Sequence, residues 1–400
     1  MSAFTLLALA AAASAAVLEL PVHIEDTYFS VEFEVGTPAK PYRFMFDTGS
    51  TTSWVTGRNC TDTSCPKGTT FVRTPYNESD SSTSVDVHQY ADISYIDSDL
   101  LAGYVFSDVF SDEKETLSWN QTFMAAEQSS WRWITADGFL GLAFSSIAQK
   151  QTSSLVETLL WEDKLDESRF AIFYGTNLNN TGVQDGVLTI GGSHEDMYVD
   201  GEVVYMPLRV ESPYELWRTP LRSVNVLVAP DGQTVTVHNG KLPSTNVPAN
   251  TYPKANTTWP MYGDGTAVFD TGAGGISIPS SMIDAFYYNL GWNLTKLYNG
   301  EEMMQCEHLN STWAISFTFG ETADESNDVT FSVRGDEFVT PGQQCMPPVD
   351  DSGESNFSLL GAEFLRRHYS VFDFGGNRVE NYQPRIGFGK LKEEYDYLHQ

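Results

Sequence analysis

Two short stretches carry the groups that could do chemistry. "RFMFDTGSTTSWV" (43–55) places Asp47 directly after Phe44, Met45 and Phe46 and directly before Thr48, Gly49 and Ser50. An ionisable carboxylate at the end of an apolar run is costly unless the fold uses it. "TAVFDTGAGGISIP" (266–279) repeats the arrangement around Asp270, with Thr271 and Gly272 following. Each copy is later followed by two apolar residues and a glycine: Phe139-Leu140-Gly141 after the first, Leu359-Leu360-Gly361 after the second, at nearly equal separations. One Asp-Thr-Gly is a common turn tripeptide. Two in matching positions, each with a distant partner, imply two halves built alike. Two carboxylates brought together cannot both ionise easily, so one stays protonated while the other is charged. Such a pair supplies a general acid and a general base in one site. A water held between them can attack a peptide carbonyl without a covalent intermediate. The glycines let backbone amides approach the carboxylates closely, and the threonines can tie the two turns together.

The elements that must position these turns read mainly as strands. "YFSVEFEVG" (28–36) puts Phe29, Val31, Phe33 and Val35 on one face, and "GEVVYMPLRV" (201–210) and "TWAISFTFG" (312–320) also read as strands. Helix signals are few. "SSLVETLLWEDKL" offers a capping box from Ser154 to Glu157, with Leu155, Leu159 and Leu160 on one face. "SSMIDAFYYNLG" offers Ser280 as N-cap, an apolar face of Ile283, Phe286, Tyr287 and Leu290, and Gly291 as terminator.

The 400 residues suffice for two domains, and 41% hydrophobic with 13% aromatic content fits a large packed core. Asp plus Glu number 53 against 23 Lys plus Arg, a net charge of -30, which excludes nucleic acid and anionic membrane surfaces as partners. Residues 1–16, "MSAFTLLALAAAASAA", read as a secretory signal peptide cleaved before Val17, although the basic leading region is missing. No later segment is long and apolar enough to span a bilayer as a helix. Four cysteines suit an oxidising destination: Cys60 and Cys65 enclose a short loop, with Cys306 and Cys345 as the natural second pair. Asn77, Asn120, Asn179, Asn256, Asn293, Asn310 and Asn356 stand in glycan-acceptor sequons. The expected destination is extracellular or vacuolar.

Through "FDTGSTTSWV", "VFDTGAGG", "ADGFLGLAF" and "SLLGAEFLRRHYSVFDF" the chain resembles the pepsin-like aspartic endopeptidases over nearly its whole length after the signal peptide. The resemblance implies a mainly β, bilobal fold with a few short helices, residues 17–200 forming one lobe and 201–400 the other, around a cleft for an extended peptide. It makes Asp47 and Asp270 the catalytic pair, supported by Thr48, Gly49, Ser50, Thr271 and Gly272, and it fits the Cys60–Cys65 and Cys306–Cys345 disulfides. A hairpin closing over the cleft corresponds to "ADISYIDSDLLAGYVFSDVF", with Tyr95 over Trp54, Asp97 at the tip and Gly103 ending the hairpin. Trp131 or Trp133 would line the apolar subsites. The implied partners are extended polypeptides and statine-type inhibitors, acting on a monomer, with no cofactor and no metal.

Three departures from the family pattern stand out. Ile96, Asp97 and Ser98 replace the usual glycines of the hairpin tip, and Ala273 replaces a Ser or Thr whose hydroxyl can donate to the second carboxylate. Val17 to Phe46 is only about the length of the family's mature N-terminal strands, so no basic prosegment is expected; "VLELPVHIED" instead suits an edge strand of the interlobe sheet. A serine hydrolase is excluded for want of a Gly-x-Ser-x-Gly elbow, and "CEH" (306–308) is better explained by a disulfide than by zinc. The competing reading is a pepsin-like protein that binds peptides or inhibitors with little or no catalysis.

Overall fold

The structure is a computed structural model that describes residues 15–25, 28–96, 98–177, 182–228, 234–236, 256–261, 263–321, 324–339 and 345–397. Residues 1–14 of the signal segment, Asp97 at the expected hairpin tip and the sequon at Asn179 lie outside the described residues.

Among the described residues, thirteen strands form one sheet and nine form a second. One half of the larger sheet runs Val204–Pro207, Arg385–Lys390, His368–Asp373, Arg169–Phe173, Gly182–Ile190, Leu18–Glu25 and Tyr28–Val35. It continues through Lys40–Asp47, Gly138–Gly141, Trp54–Thr56, Ser118–Ser129, Leu100–Ser111 and Val85–Ser94. Strands from both ends of the chain therefore share one sheet. The smaller sheet centres on Arg218–Leu227, Thr266–Phe269, Phe357–Leu360 and Ile276–Ile278. The mainly β expectation is met, and a strand at each of the three quoted stretches is present: Tyr28–Val35, Val204–Pro207 and Ala314–Phe319.

Alternation decides which face is buried. Phe29, Val31, Phe33 and Val35 all turn inward, as the period of two requires. Leu18, Leu20, Val22 and Ile24 do the same. That strand, however, is not at an edge. It pairs antiparallel with Gly182–Ile190 on one side and with Tyr28–Val35 on the other, so both rows of backbone groups are used.

Helix Ser280–Leu290 ends on Gly291 in the left-handed region (φ 91°), which a glycine adopts without a Cβ penalty. Its N-cap is Pro279 rather than Ser280, whose hydroxyl donates to Asp351 instead (2.5 Å). Helix Leu155–Trp161 has Ser154 at its N-cap, but the capping box does not form. Ser154 is fully buried and its hydroxyl donates to the Gly141 carbonyl (3.4 Å), while Glu157 accepts from the Ser145 amide. Tertiary partners outcompete the local cap at both helices. Asn256 is a further correction: it is buried, and its amide oxygen accepts from the Val228 N–H (2.9 Å), so this sequon faces inward in the folded chain. Both expected disulfides, Cys60–Cys65 and Cys306–Cys345, are formed.

Most buried apolar residues join one core that runs through both sheets. A second cluster, including Met45, Trp54, Leu101, Met124 and Phe139, packs under the hairpin formed by Val85–Ser94 and Leu100–Ser111. No helix among the described residues is long and apolar enough to cross a membrane.

Candidate active site

Each aspartate leaves a strand that pairs in parallel with its distant partner. Lys40–Asp47 runs beside Gly138–Gly141 with Asp47 opposite Gly141, and Thr266–Phe269 runs beside Phe357–Leu360 with Phe269 opposite Leu360. The Asp47 carbonyl accepts from Leu142 (2.8 Å), and the Asp270 amide donates to Leu360 (3.0 Å). Phe46 and Phe269, one residue before each aspartate, have no exposed surface. Burying each is worth about 2 kcal/mol, which anchors the strand end from which the carboxylate emerges. The partner glycines are obligatory. A Cβ at Gly141 would lie 2.0 Å from the Thr51 carbonyl oxygen, and one at Gly361 would lie 2.4 Å from that of Ala273. The loop after each aspartate folds back over its partner strand with no room for a side chain.

The threonines cross between the two turns. Thr48 N donates to Thr271 Oγ1 (2.9 Å) and Thr271 N donates to Thr48 Oγ1 (3.0 Å). Each hydroxyl also donates onward, Thr48 to the Phe269 carbonyl (2.7 Å) and Thr271 to that of Phe46 (2.8 Å). Four buried hydrogen bonds thus hold the turns in register with near-twofold symmetry.

The glycines of the turns do two things. Gly49 N donates to Asp47 Oδ1 and Gly272 N to Asp270 Oδ1, both at 2.8 Å. Each also faces the opposite acid: a Cβ on Gly49 would lie 2.3 Å from Asp270 Oδ2, and one on Gly272 would lie 2.6 Å from Asp47 Oδ1. Only bare backbone lets the carboxylates come this close.

The symmetry breaks at the next position. The Ser50 hydroxyl donates to Asp47 Oδ2, whereas Ala273 has no hydroxyl to offer Asp270. Burial raises both carboxyls above the usual carboxylate range. For Asp47 the bonds from Ser50 and Gly49 oppose that rise. For Asp270 the negative charge of Asp47 adds to it, and the pair is pushed well up on this side. The two acids titrate together as one pair that shares a proton.

The hairpin Val85–Ser94 and Leu100–Ser111 reaches over this pair. Tyr95 lies at its turn, where Ser98 N donates to the Tyr95 carbonyl (3.0 Å) and Tyr95 N to that of Asp99 (2.9 Å). Trp54 Nε1 donates to the Tyr95 hydroxyl (3.0 Å), so Trp54 holds the tyrosine beneath the hairpin. Gly103 does not end the hairpin. It lies within the return strand opposite Ala91, where a Cβ would meet the Ala125 carbonyl oxygen at 2.1 Å. Trp131 packs edge-on to Tyr95 (5.3 Å between centroids) and against Phe139 (5.0 Å). Trp133 instead lies over Gly68 and is 62% exposed.

A cleft of about 760 Å³ contains both aspartates together with Gly49, Ser50, Gly272 and Ala273, with Tyr95 and Trp131 on one wall. Trp54 supports this wall from behind. Its floor is polar and acidic, and its walls are apolar around Ile93, Phe139, Leu216 and Leu359. This arrangement can bind an extended chain and present paired acid and base groups to its backbone. Among the described residues, no three His, Cys, Asp or Glu side chains group as metal ligands.

Two supporting residues escape a motif-based reading. Trp217 is fully buried, its Nε1 donates to the Leu142 carbonyl (2.9 Å), and its own carbonyl accepts from Phe269 N (3.1 Å). It therefore touches the backbone beside both aspartates, and a lone Trp in "YELWRTP" gives no sign of that. Asp137, just before Gly138, is buried and accepts from Arg43 N (2.8 Å) and Thr74 N (2.5 Å). Burial pushes its carboxyl up to about 6. Its position in "ADGFLG" was the available signal.

The chain is similar in sequence to known proteins along most of its length. The family model described as "Eukaryotic aspartyl protease" matches residues 27–383. The chain is 25% identical over 359 residues to pepsin A of Sus scrofa, covering 88% of this chain and 80% of that protein. It is 23% identical over 366 residues to gastricsin of Rattus norvegicus (91% and 82% covered). It is 27% identical over 368 residues to the "Probable vacuolar protease A" of Trichophyton verrucosum (88% and 77% covered). With both Asp-Thr-Gly turns inside a match that takes in most of its length, the chain belongs to the eukaryotic aspartyl protease family.

Proposed function

We propose that this protein is an aspartic endopeptidase that cleaves internal bonds of extended polypeptides at acidic pH, with Asp47 and Asp270 acting as one catalytic unit. The observation that carries this reading is the mutual approach of the two carboxylates across Gly49 and Gly272, with one oxygen of each fixed by a backbone amide. Asp47, steadied by Ser50 and Gly49, takes the proton from a water bridging the pair. Asp270, carrying the shared proton, donates to the substrate carbonyl oxygen as the water adds to its carbon. Asp47 then gives the proton it took to the amide nitrogen as the carbon–nitrogen bond breaks. A hydroxyl on the tetrahedral carbon returns its proton to Asp270, which restores the singly protonated pair. Residues 17–200 and 201–400 serve as the lobes on either side, each delivering one acid. Tyr95, held by Trp54, closes the hairpin over the bound chain, and Trp131 lines its apolar side. Delivery through the secretory pathway, to the outside or to a vacuole, accounts for the signal-like residues 1–16 and suits the two disulfides.

The test is hydrolysis of a denatured protein at acidic pH by the wild type and by Asp47→Asn and Asp270→Asn, with and without a statine-type inhibitor. Each variant should lose activity by several orders of magnitude, because the two groups work together. Near-normal turnover in either folded variant refutes the two-carboxylate mechanism. A folded wild type that binds the inhibitor yet cleaves nothing favours the peptide-binding alternative.

A further inference from the structure

The cleft holds a third carboxylate that the hydrolytic mechanism does not use. Asp350 lies on the strand segment Asp350–Asp351, which pairs in parallel with Ile276–Ile278 just beyond the second Asp-Thr-Gly turn. Its Oδ2 stands 3.4 Å from where a Cβ on Gly275 would be, so it leans across the bare backbone that follows Ala273. The neighbouring Asp351 is already engaged, accepting from Ser280 (2.5 Å) and from Gly353 N (2.9 Å). Asp350 has no such hydrogen bond and no ion pair among the described residues. The described residues lining the cleft include four aspartates and no Lys, Arg or His. Asp350 is exposed to the cleft, and among the described residues no positive group acts on it. An exposed acid on the wall of a substrate cleft, with no partner of its own, is open to a cation that the substrate brings.

Resting on the endopeptidase reading above, we infer that Asp350 is a specificity-determining residue that selects a Lys or Arg side chain at one position flanking the scissile bond. The cation supplies the partner that the protein withholds, while the substrate backbone is placed by the dyad and the hairpin. Apolar walls and a single acid together fit a chain that is largely hydrophobic around the cut with one basic residue, rather than a polyacidic or uniformly apolar one.

The experiment uses internally quenched peptides with one lysine moved position by position through an otherwise apolar sequence, each paired with a norleucine control. The quantity read is the ratio of kcat/KM for lysine over norleucine on one enzyme preparation, so any loss of folded enzyme cancels. At one position the wild type should favour lysine about fivefold, as a partly exposed ion pair supplies. In Asp350→Asn that ratio should fall to about one. In Asp350→Lys it should drop below one, and a glutamate at the same position should then be favoured over glutamine. If the wild type cleaves the norleucine peptides but prefers lysine nowhere, or if the preference survives in Asp350→Asn, the inference is overturned while the endopeptidase reading stands. If no peptide of either kind is cleaved, the endopeptidase reading fails and this inference with it.

Discussion

Replacing Thr48 with valine removes one oxygen atom from the crossing between the two turns and changes almost nothing in volume. Thr48 has no exposed surface, and its hydroxyl both accepts from Thr271 N (3.0 Å) and donates to the Phe269 carbonyl (2.7 Å). In Thr48→Val those two backbone groups stay buried without partners. At about 1–2 kcal/mol for each orphaned group, the variant should lose about 2–4 kcal/mol of stability. The reciprocal bond from Thr48 N to Thr271 Oγ1 survives, so the turns loosen rather than separate. Thr48→Ser keeps both hydroxyl bonds and loses only a methyl group, which limits its effect to about 1 kcal/mol. Urea unfolding at one acidic pH, followed by fluorescence, reads the difference as a lower midpoint for Val with Ser close to wild type. Turnover should fall in parallel, because the same bonds set the separation of the carboxylates. Thr271→Val should behave alike, and the double variant should lose less than the sum, since both act on one network. A Thr48→Val midpoint indistinguishable from wild type, or equal losses in Val and Ser, refutes the claim that the hydroxyl bonds join the halves.

Ala273→Ser should return a donor to Asp270 opposite the one that Ser50 gives Asp47, favouring the ionised pair and lowering its pKa values. The pH–rate profile should then move to lower pH by about one unit, within what a hydrogen bond to a charged acceptor supplies; an unmoved profile in a folded, active variant removes Ala273 from the account. Stability should fall as pH rises from 4 to 7. The Asp137 carboxyl is raised from 3.8 to about 6 by burial, so the folded state keeps a proton that the unfolded chain has released. Its contribution, up to about 3 kcal/mol, is complete below the unfolded value and is lost as pH passes through the folded one. Calorimetry at pH 4, 5.5 and 7 should show a falling melting temperature, with a shallower fall in Asp137→Asn; a steady climb over that range contradicts the reasoning.

What can be read along the chain is what depends on near neighbours. The two Asp-Thr-Gly turns, the bare backbone around Asp47 and Asp270, the inward face Phe29, Val31, Phe33 and Val35, and the stop at Gly291 all follow from local sterics and from a period of two. The matched glycines Gly141 and Gly361 were also legible, because a repeat exposes a pairing that one copy hides. The family resemblance extended this to Tyr95 over Trp54 and to the disulfides. Other features needed the assembled molecule. Glu157 has the spacing of a capping residue yet serves Ser145, and Ser280 serves Asp351, because partners distant in sequence arrive with better geometry. Leu18–Glu25 has the pattern of an edge strand but is covered on both sides. Trp217 spans the two aspartate strands, Asn256 turns inward, and Asp350 comes to stand over Gly275. Periodicity tells which side of a strand avoids water; it carries no information on which strand, carbonyl or carboxylate will lie against that side. Those choices are made by long-range packing, which brings together groups hundreds of residues apart and leaves one acid in the cleft unpaired.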